Sequence, residues 1–422
     1  MSQSHAPSAV DGILSVNAGS SSLKFALYPC AGGGIGPARL SGQVDGLQPG
    51  GEPALRVRPA QGPELRAPVP VQRGAPTFQA ALRAVIAAVD TVSPLTLRAV
   101  AHRIVHGGER YTMAALIDEV VLSELARLSD LAPLHQPHNL AGLRAFMRTF
   151  PSLPQVGCFD TAFHVDLPEV ERWFALPESF HEAGIRRYGF HGLSYKYVAT
   201  TLGAVTPRGR GRLLLAHLGN GASLCAVREG RSMATTMGFS ALDGLMMGTR
   251  CGSIDAGVVL HMLRDGRDAA SIENLLYRRS GLLGVSGVSA DMRTLRASTS
   301  PGASRAIALF THRVVREAGA MAACLGGLDA IGFTGGIGEH DATLRAEVCA
   351  ALSYLGVRID EQSNAAADGG AITPVHQPDS AVEIWVVPTD EGRVAAGEAL
   401  SILESRPRAP ASPHPPATPA AA

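Results

Sequence analysis

Four short stretches carry the residues best suited to chemistry. H-R-I-V-H-G-G (102–108) puts Arg103 on a strand that ends at glycines. C-F-D-T-A-F-H (158–164) puts Asp160 at a strand end, and Y-G-F-H-G-L-S-Y (188–195) sets His191 between aromatics and glycines. M-G-F-S-A-L-D-G-L-M-M-G-T-R-C-G-S-I-D (237–255) carries Arg250 in a Gly/Thr/Cys loop. Each has an ordinary alternative: a surface ion pair for either arginine, a helix N-cap for Asp160 with Thr161 beside it, a satisfied half-buried imidazole for His191. Together, two arginines, one aspartate and one histidine at strand ends are what phosphoryl transfer requires. The cations hold the equatorial oxygens and the carboxylate positions a metal ion.

A second set of residues speaks to phosphate. Residues 13–27 read I-L-S-V-N-A-G-S-S-S-L-K-F-A-L. Two apolar runs, ending at Val16 and starting at Leu23, flank a small polar hexapeptide, with Lys24 close behind. Gly, Asn and Ser let backbone N–H groups and hydroxyls converge on one concavity, a nest for phosphate oxygens. Residues 213–227, L-L-L-A-H-L-G-N-G-A-S-L-C-A-V, repeat the pattern half a chain later. One such turn reads equally well as a long hairpin turn. Two matched turns predict a phosphate site between two similarly built halves, with Lys24 as a further cation. There is no G-x-x-x-x-G-K-[ST], which excludes a P-loop. A-G-G-G-I-G-P (31–37) follows a strand but precedes no helix, and reads as a flexible loop.

These residues need a frame. Residues 77–90 have helical periodicity and lead into the strand-like A-V-A-H-R-I-V-H-G-G. Residues 139–149 read as a helix before the short strand Q-V-G-C-F-D. In the second half, 303–325 is a long helical stretch followed by D-A-I-G-F-T-G-G-I-G-E-H, a strand that stops at glycines. Alternating strands and helices predict an α/β fold with largely covered sheets, its polar residues gathered past the strand C-termini.

Bulk properties narrow the class. The 422 residues are 46% hydrophobic with formal net charge zero, enough for two domains with separate cores. The balance argues against a nucleic-acid partner. The six cysteines (30, 158, 225, 251, 324 and 349) form no C-x-x-C pair and read as scattered buried thiols in a reducing compartment. The first ten residues lack a basic segment followed by an apolar one, and no apolar run reaches the roughly 18 residues of a spanning helix. The expectation is a soluble, cytoplasmic protein with no membrane partner. The Pro/Ala-rich tail from Ser405 onward is expected to be disordered.

The wording of these motifs is specific. From about Ile13 to about Leu400, N-A-G-S-S-S-L-K-F, H-R-I-V-H-G-G, F-D-T-A-F-H, Y-G-F-H-G, H-L-G-N-G-A-S, G-L-M-M-G-T-R-C-G and F-T-G-G-I-G-E resemble the acetokinase family of the actin/sugar-kinase/Hsp70 superfamily. The resemblance implies a duplicated ribonuclease H-like (actin-like ATPase) two-domain fold with an interdomain cleft. One domain would span 11–161 plus 389–404. The other, 162–388, would carry the nucleotide site and a dimer interface. It implies reversible, Mg2+-dependent transfer from ATP to acetate, giving acetyl phosphate and ADP, with Mn2+ as a substitute ion and a homodimer as the assembly.

The implied roles fall on matching residues. Asn17 and Glu391 lie by the metal ion, with Ser20, Ser22 and Lys24 in the first phosphate turn. Arg103 and Arg250 hold the carboxylate and the transferring phosphoryl group, Asp160 is the essential acid, and His191 stabilises the transition state. His217, Leu218, Gly219, Asn220 and Gly221 form the second phosphate turn. Asp291, Met292 and Arg293 lie by the nucleotide, and Gly335, Gly336, Ile337, Gly338 and Glu339 hold adenosine and phosphates. Val105, Leu134 and Phe190 match the apolar wall around the substrate methyl group. A carboxylic acid with pKa of about 4–5 is already ionised at neutral pH, so Asp160 is expected to position metal and water and not to accept a proton.

Several positions depart from the family wording. G-T-S-H after the histidine becomes G-L-S-Y (Leu193, Tyr195), and T-P-L-E-G becomes S-A-L-D-G, with Ala241 in place of a pocket-lining proline. G-G-I-G-E-N ends here in His340, and P-T-N-E-E becomes P-T-D-E-G (Asp390, Gly392). Ala241 keeps propionate or butyrate open as the substrate, since one methylene is worth only about 1–3 kcal/mol of discrimination. A phosphohydrolase on the same scaffold would need a positioned water, which the apolar trio opposes. A silent nucleotide-binding regulator would lack Arg103, Asp160, Arg250 or Glu391, and all four are present.

Overall fold

The two apolar runs at the start of the chain pair as an antiparallel hairpin, β1 (Asp11–Ala18) and β2 (Ser22–Ala31). The computed structural model describes residues 10–405 apart from 20, 49, 72–76, 93, 94 and 134. The hairpin is tighter than the hexapeptide suggests. Asn17 pairs with Lys24 and Ala18 with Leu23, so both strands continue into the polar stretch. The Gly19 N–H donates to Ser22 O at 2.8 Å and closes the remaining turn. The glycine run is also more ordered than a flexible loop. Gly34–Ile35, strand β3, folds back on Cys30 and Ala31 through Gly32 and Gly33, at φ 58° and 76°. Two successive positive φ values make the hairpin turn that glycine permits.

β4 (Leu40–Asp45), β5 (Ala54–Pro59) and β6 (Leu65–Pro68) extend the β2 edge antiparallel. β7 (Thr96–Ile104), β8 (Ala115–Leu116) and β9 (Gln155–Phe159) build the other side, with β7 and β9 parallel to β1. The first sheet therefore runs β6-β5-β4-β2-β1-β7-β9-β8. The second holds β10 (Arg212–Leu218), β11 (Ala222–Arg228), β12 (Arg231–Thr235), β13 (Ala330–Thr334), β14 (Thr373–Pro374) and β15 (Glu383–Val386). Its order is β12-β11-β10-β13-β15-β14. The shared cores, β4-β2-β1-β7-β9 and β12-β11-β10-β13-β15, each set three antiparallel strands beside two parallel ones. The strand–turn–strand repeat is thus the start of a duplicated ribonuclease H-like fold.

The expected helices cover these sheets. Helices Thr77–Val92 and Gln136–Thr149 flank the first, and Pro301–Leu325 the second. The last starts at a Ser300 cap with Pro301 in its first turn and ends at Gly326, φ 71°. Leu82, Val85, Val89 and Phe146 pack on the inner residues of β1, β2 and β4. Phe310, Val314, Ala318 and Met321 pack with residues of β10 and β11. On the opposite faces lie helix Glu391–Glu404, against Ile13, Ala99 and Ala101, and helix Gly192–Val205, against Leu213, Leu215 and Cys225. These two helices touch each other between the sheets, where Lys196 pairs with Glu398 at 2.7 Å.

F-T-G-G-I-G-E-H does more than stop a strand at glycines: Gly335–His340 is a helix opened by Gly335 at φ 76°. The six cysteines are free thiols, and of these Cys324 is exposed. No described helix is long and apolar enough to cross a membrane. The tail from residue 406 lies outside the described residues, as do Ser20 and Leu134.

Candidate active site

Open α/β sheets bind ligands past the C-terminal ends of parallel strands. Here β1, β7, β10, β13 and β15 all deliver residues to one cleft of about 580 Å3, while Asp160, after β9, lies behind Arg103 and does not line it. Its walls include Asn17, Lys24, Arg103, His191, His217, Asn220, Arg250, Glu339 and Glu391. The second hairpin turn lines it through Gly219, Asn220 and Gly221, whereas the first reaches it through the strand ends Asn17 and Lys24 and not through the described turn residues Gly19, Ser21 and Ser22.

Asp160 follows β9 directly and is buried. It caps no helix. The Arg103 guanidinium donates to it twice, Nε to Oδ1 at 3.0 Å and Nη2 to Oδ2 at 2.6 Å. Arg103 Nε also lies 3.2 Å from Glu391 Oε2. One arginine thus faces two carboxylates. Burial pushes the Asp160 carboxyl above the usual carboxylate range, Arg103 opposes that and Glu391 adds to it. Burial alone would lower the Arg103 pKa, but Asp160 and Glu391 outweigh it and hold the charge more firmly.

Arg250 is the opposite case. It is buried, its Nη1 donates to the backbone oxygen of Ala241 at 2.5 Å, and no carboxylate pairs with it among the described residues. Burial lowers its pKa to about 10. A buried cation without a counter-ion is costly and ready for an incoming anion.

His191 has φ 59°, one of two described non-glycine residues in the left-handed region. Such strain persists where the surroundings over-determine it. Its ring stacks on His217 with centroids 4.2 Å apart. Burial, then His217 and the two arginines, depress its pKa well below the usual histidine value. Burial holds His217 at about 4. Both rings are neutral at pH 7. A Cβ on Gly221 would stand 2.7 Å from Arg250 Nη2 and 3.2 Å from His191 Nε2, so only glycine lets these groups converge on the second turn.

The other predicted residues divide by side chain. Leu218 and Met292 are buried in the core, Ile337 packs against it, and Gly338 is buried. At the cleft the Gly335–Glu339 segment offers backbone and small residues. Glu339 ties it down, with Oε1 accepting from the N–H of Gly335 (2.8 Å) and of Thr389 (3.2 Å). Buried Arg345 donates to the oxygens of Gly338 and Glu339 from below. Asp291 does not line the cleft. It caps helix Met292–Arg296 and pairs with the exposed Arg293 at 2.7 Å, one residue from Ala290, whose oxygen neighbours Gly248 behind Asn220. Val105 and Phe190 share one buried cluster with Ala241, Met237 and Leu245.

Sequence reading missed several cleft residues. His135 lines the wall, held neutral at about pKa 3 chiefly by burial and then by Arg250 and Arg103. Its signal was the H-Q-P-H run at 135–138, directly after the predicted apolar Leu134. Tyr28 also lines the cleft and donates to Asp390 Oδ1 at 2.5 Å. For a metal ion, the described residues hold no cluster of three or more His, Cys, Asp or Glu. The oxygens of Asn17 and Glu391, both on the cleft wall, suit a hard divalent ion that completes its shell with phosphate and water; Asp160 is buried with both oxygens held by Arg103.

The family model for the acetokinase family matches residues 12–397. The acetate kinase of Rhodopseudomonas palustris is 48% identical over 400 residues, covering 92% of this chain and 97% of its own. That of Rhizobium meliloti is 43% identical over 398 residues, covering 94% and 99%. Among solved structures, Porphyromonas gingivalis acetate kinase superposes with TM-score 0.81 at 34% identity, covering 93% of this chain and 100% of that one. A propionate kinase from Francisella tularensis gives TM-score 0.82 at 34% identity, covering 92% and 98%. Sequence, sheet order and cleft lead to one conclusion: the chain belongs to the acetokinase family.

Proposed function

We propose that the protein transfers the γ-phosphoryl group of ATP reversibly to acetate, giving acetyl phosphate and ADP by direct in-line transfer. The observation that carries this reading is the unpaired, buried Arg250 beside neutral His191, over a glycine turn. A carboxylate must approach a polyanionic phosphate, and the barrier is electrostatic. At an effective dielectric near 20, one close opposite charge is worth about 4 kcal/mol before desolvation. Arg250 receives the carboxylate and Arg103 the phosphoryl oxygens. Asp160 orients Arg103 with both its oxygens and takes no proton. Val105, Phe190 and Ala241 receive the methyl group. Lys24, the Gly219–Gly221 turn and the Gly335–Glu339 segment hold the nucleotide phosphates.

Asn17 and Glu391 would hold Mg2+, with Mn2+ as substitute, and the ion would neutralise charge on the phosphate chain. Residues 11–161 with 389–404, and 162–388, are taken as the two bodies that close on the cleft and exclude water. The assembly is a cytoplasmic homodimer. The dimer alone is supported by helix Ala256–Arg264, which buries none of its residues although Val258, Leu260 and Leu263 are large and apolar.

Trapping of acyl phosphate with hydroxylamine, with ATP and Mg2+ and with acetate, propionate or butyrate, tests the reading; Arg250→Ala is the control. Highest kcat/KM for acetate and a dead control support it. A propionate maximum favours the second reading, which Ala241 and the Francisella tularensis likeness motivate. ATP consumption without hydroxamate would replace both with a hydrolase.

A further inference from the structure

We infer that Tyr195 acts through Ser223 as a positioning residue that sets the tautomer of His191, so that His191 presents an Nε2–H donor to the cleft. This rests on the function proposed above. The His191 Nδ1 lies 2.8 Å from Ser223 Oγ, and Ser223 Oγ lies 2.5 Å from the Tyr195 hydroxyl. Ser223 and Tyr195 are both fully buried. A neutral imidazole carries one proton, on either nitrogen, and a serine hydroxyl can donate or accept. The Ser223 hydroxyl alone therefore leaves the His191 tautomer open.

Tyr195 decides it. Its only side-chain partner among the described residues is Ser223, and the backbone N–H of His217 bears on the same phenolic oxygen. If Ser223 donated to Tyr195, the phenol proton would be left without a partner in a site closed to water. Orphaning a buried donor carries its full desolvation penalty. So Tyr195 donates to Ser223, Ser223 spends its single proton on His191 Nδ1, and the imidazole proton sits on Nε2. That nitrogen faces the point where Arg250 Nη2 also arrives. His191 then gives a hydrogen bond to the transferring phosphoryl group and removes no proton. The position carries histidine in the family wording, and histidine too can donate to Ser223, which makes Tyr195 a replacement that keeps the relay.

The test combines 15N-histidine NMR of the full-length protein with acyl phosphate formation, His191 being assigned by loss of its signals in His191→Gln. The wild type should show the proton on Nε2. Tyr195→Phe leaves Ser223 free to donate or accept, so the single Nε2–H form should give way to a mixture of tautomers. The kcat should fall in proportion to the lost Nε2–H fraction, with the KM for ATP within about twofold. Tyr195→His should restore both the tautomer and the rate. Should Tyr195→Phe fail to fold, Ser223→Ala serves, with the single Nε2–H form expected to give way to a mixture. An Nδ1–H wild type, or an unchanged tautomer in Tyr195→Phe, overturns the inference. Absence of acyl phosphate from the wild type overturns the function instead and leaves the NMR arm to judge the tautomer.

Discussion

Arg250 carries a buried positive charge that no carboxylate among the described residues neutralises, and the first prediction concerns it. Removing a charge worth about 4 kcal/mol should lower kcat/KM for the carboxylate on the order of 1000-fold in Arg250→Ala. Arg250→Lys should recover little, because a point charge cannot hold the Ala241 oxygen and a carboxylate together. Steady-state kinetics with acetate checks this, and a loss below tenfold would sink the assignment. Ala241 sits in the same cluster as Val105 and Phe190, and its backbone oxygen anchors Arg250. Ala241→Val should cut the propionate-to-acetate ratio of kcat/KM by about tenfold. No change in that ratio would remove Ala241 from the acyl wall. At this scale the sequence was legible where chemistry is local. Arg103, Asp160, His191 and Arg250 announced themselves by type and by flanking glycines. The pairing of Arg103 with Asp160 and Glu391 did not, since nothing local links those positions.

The helix Glu391–Glu404 illustrates how an element delivers a side chain. Asp390 caps it, with Oδ1 accepting from the Arg393 N–H at 3.0 Å and from the Tyr28 hydroxyl at 2.5 Å. Gly392 leaves the room: a Cβ there would stand 2.5 Å from the Tyr28 oxygen. The two departures in P-T-D-E-G thus act together with Tyr28 on β2 to hold Glu391 beside Arg103. Asp390→Ala should cost about 1–2 kcal/mol, read from denaturant midpoints, while Asp390→Asn keeps an acceptor and should cost less. Equal losses in the two variants would refute the capping account. The exposed apolar helix Ala256–Arg264 makes a separate prediction. Leu260→Glu with Leu263→Glu should convert a dimer to monomers in sedimentation, and an unchanged sedimentation coefficient would place the interface elsewhere. Element positions were largely readable from periodicity. Their ends were less so, because hydrogen-bond register carried β1 and β2 past Val16 and Leu23 into the polar turn.

The whole molecule is sensitive to acid for a reason spread over several buried histidines. Burial holds His102, His106 and His164 at a pKa of about 4. An unfolded chain binds those protons near 6.5, so between about 6.5 and 4 it holds more protons than the folded one. Stability therefore falls as pH falls through that window, by about 2 kcal/mol for each such group at pH 5. Guanidinium midpoints at pH 7.5 and 5.0 check this, and a flat profile would contradict it. The raised Asp160 carboxyl works in the other direction and softens the slope.

Across both sheets, the sequence by itself determined the α/β class, the duplicated strand–turn–strand unit and the residue types at most strand ends. Each of these depends on spacing within a few residues, where periodicity and turn chemistry act. Only the tertiary structure decided which groups share a charge, which stay unpaired and which hydroxyl directs His191. Those outcomes depend on distances between sheets, set by packing of the Gly192–Val205 and Glu391–Glu404 helices in between. A buried charge or proton is governed by whichever groups the fold brings within about 4 Å, wherever they lie along the chain.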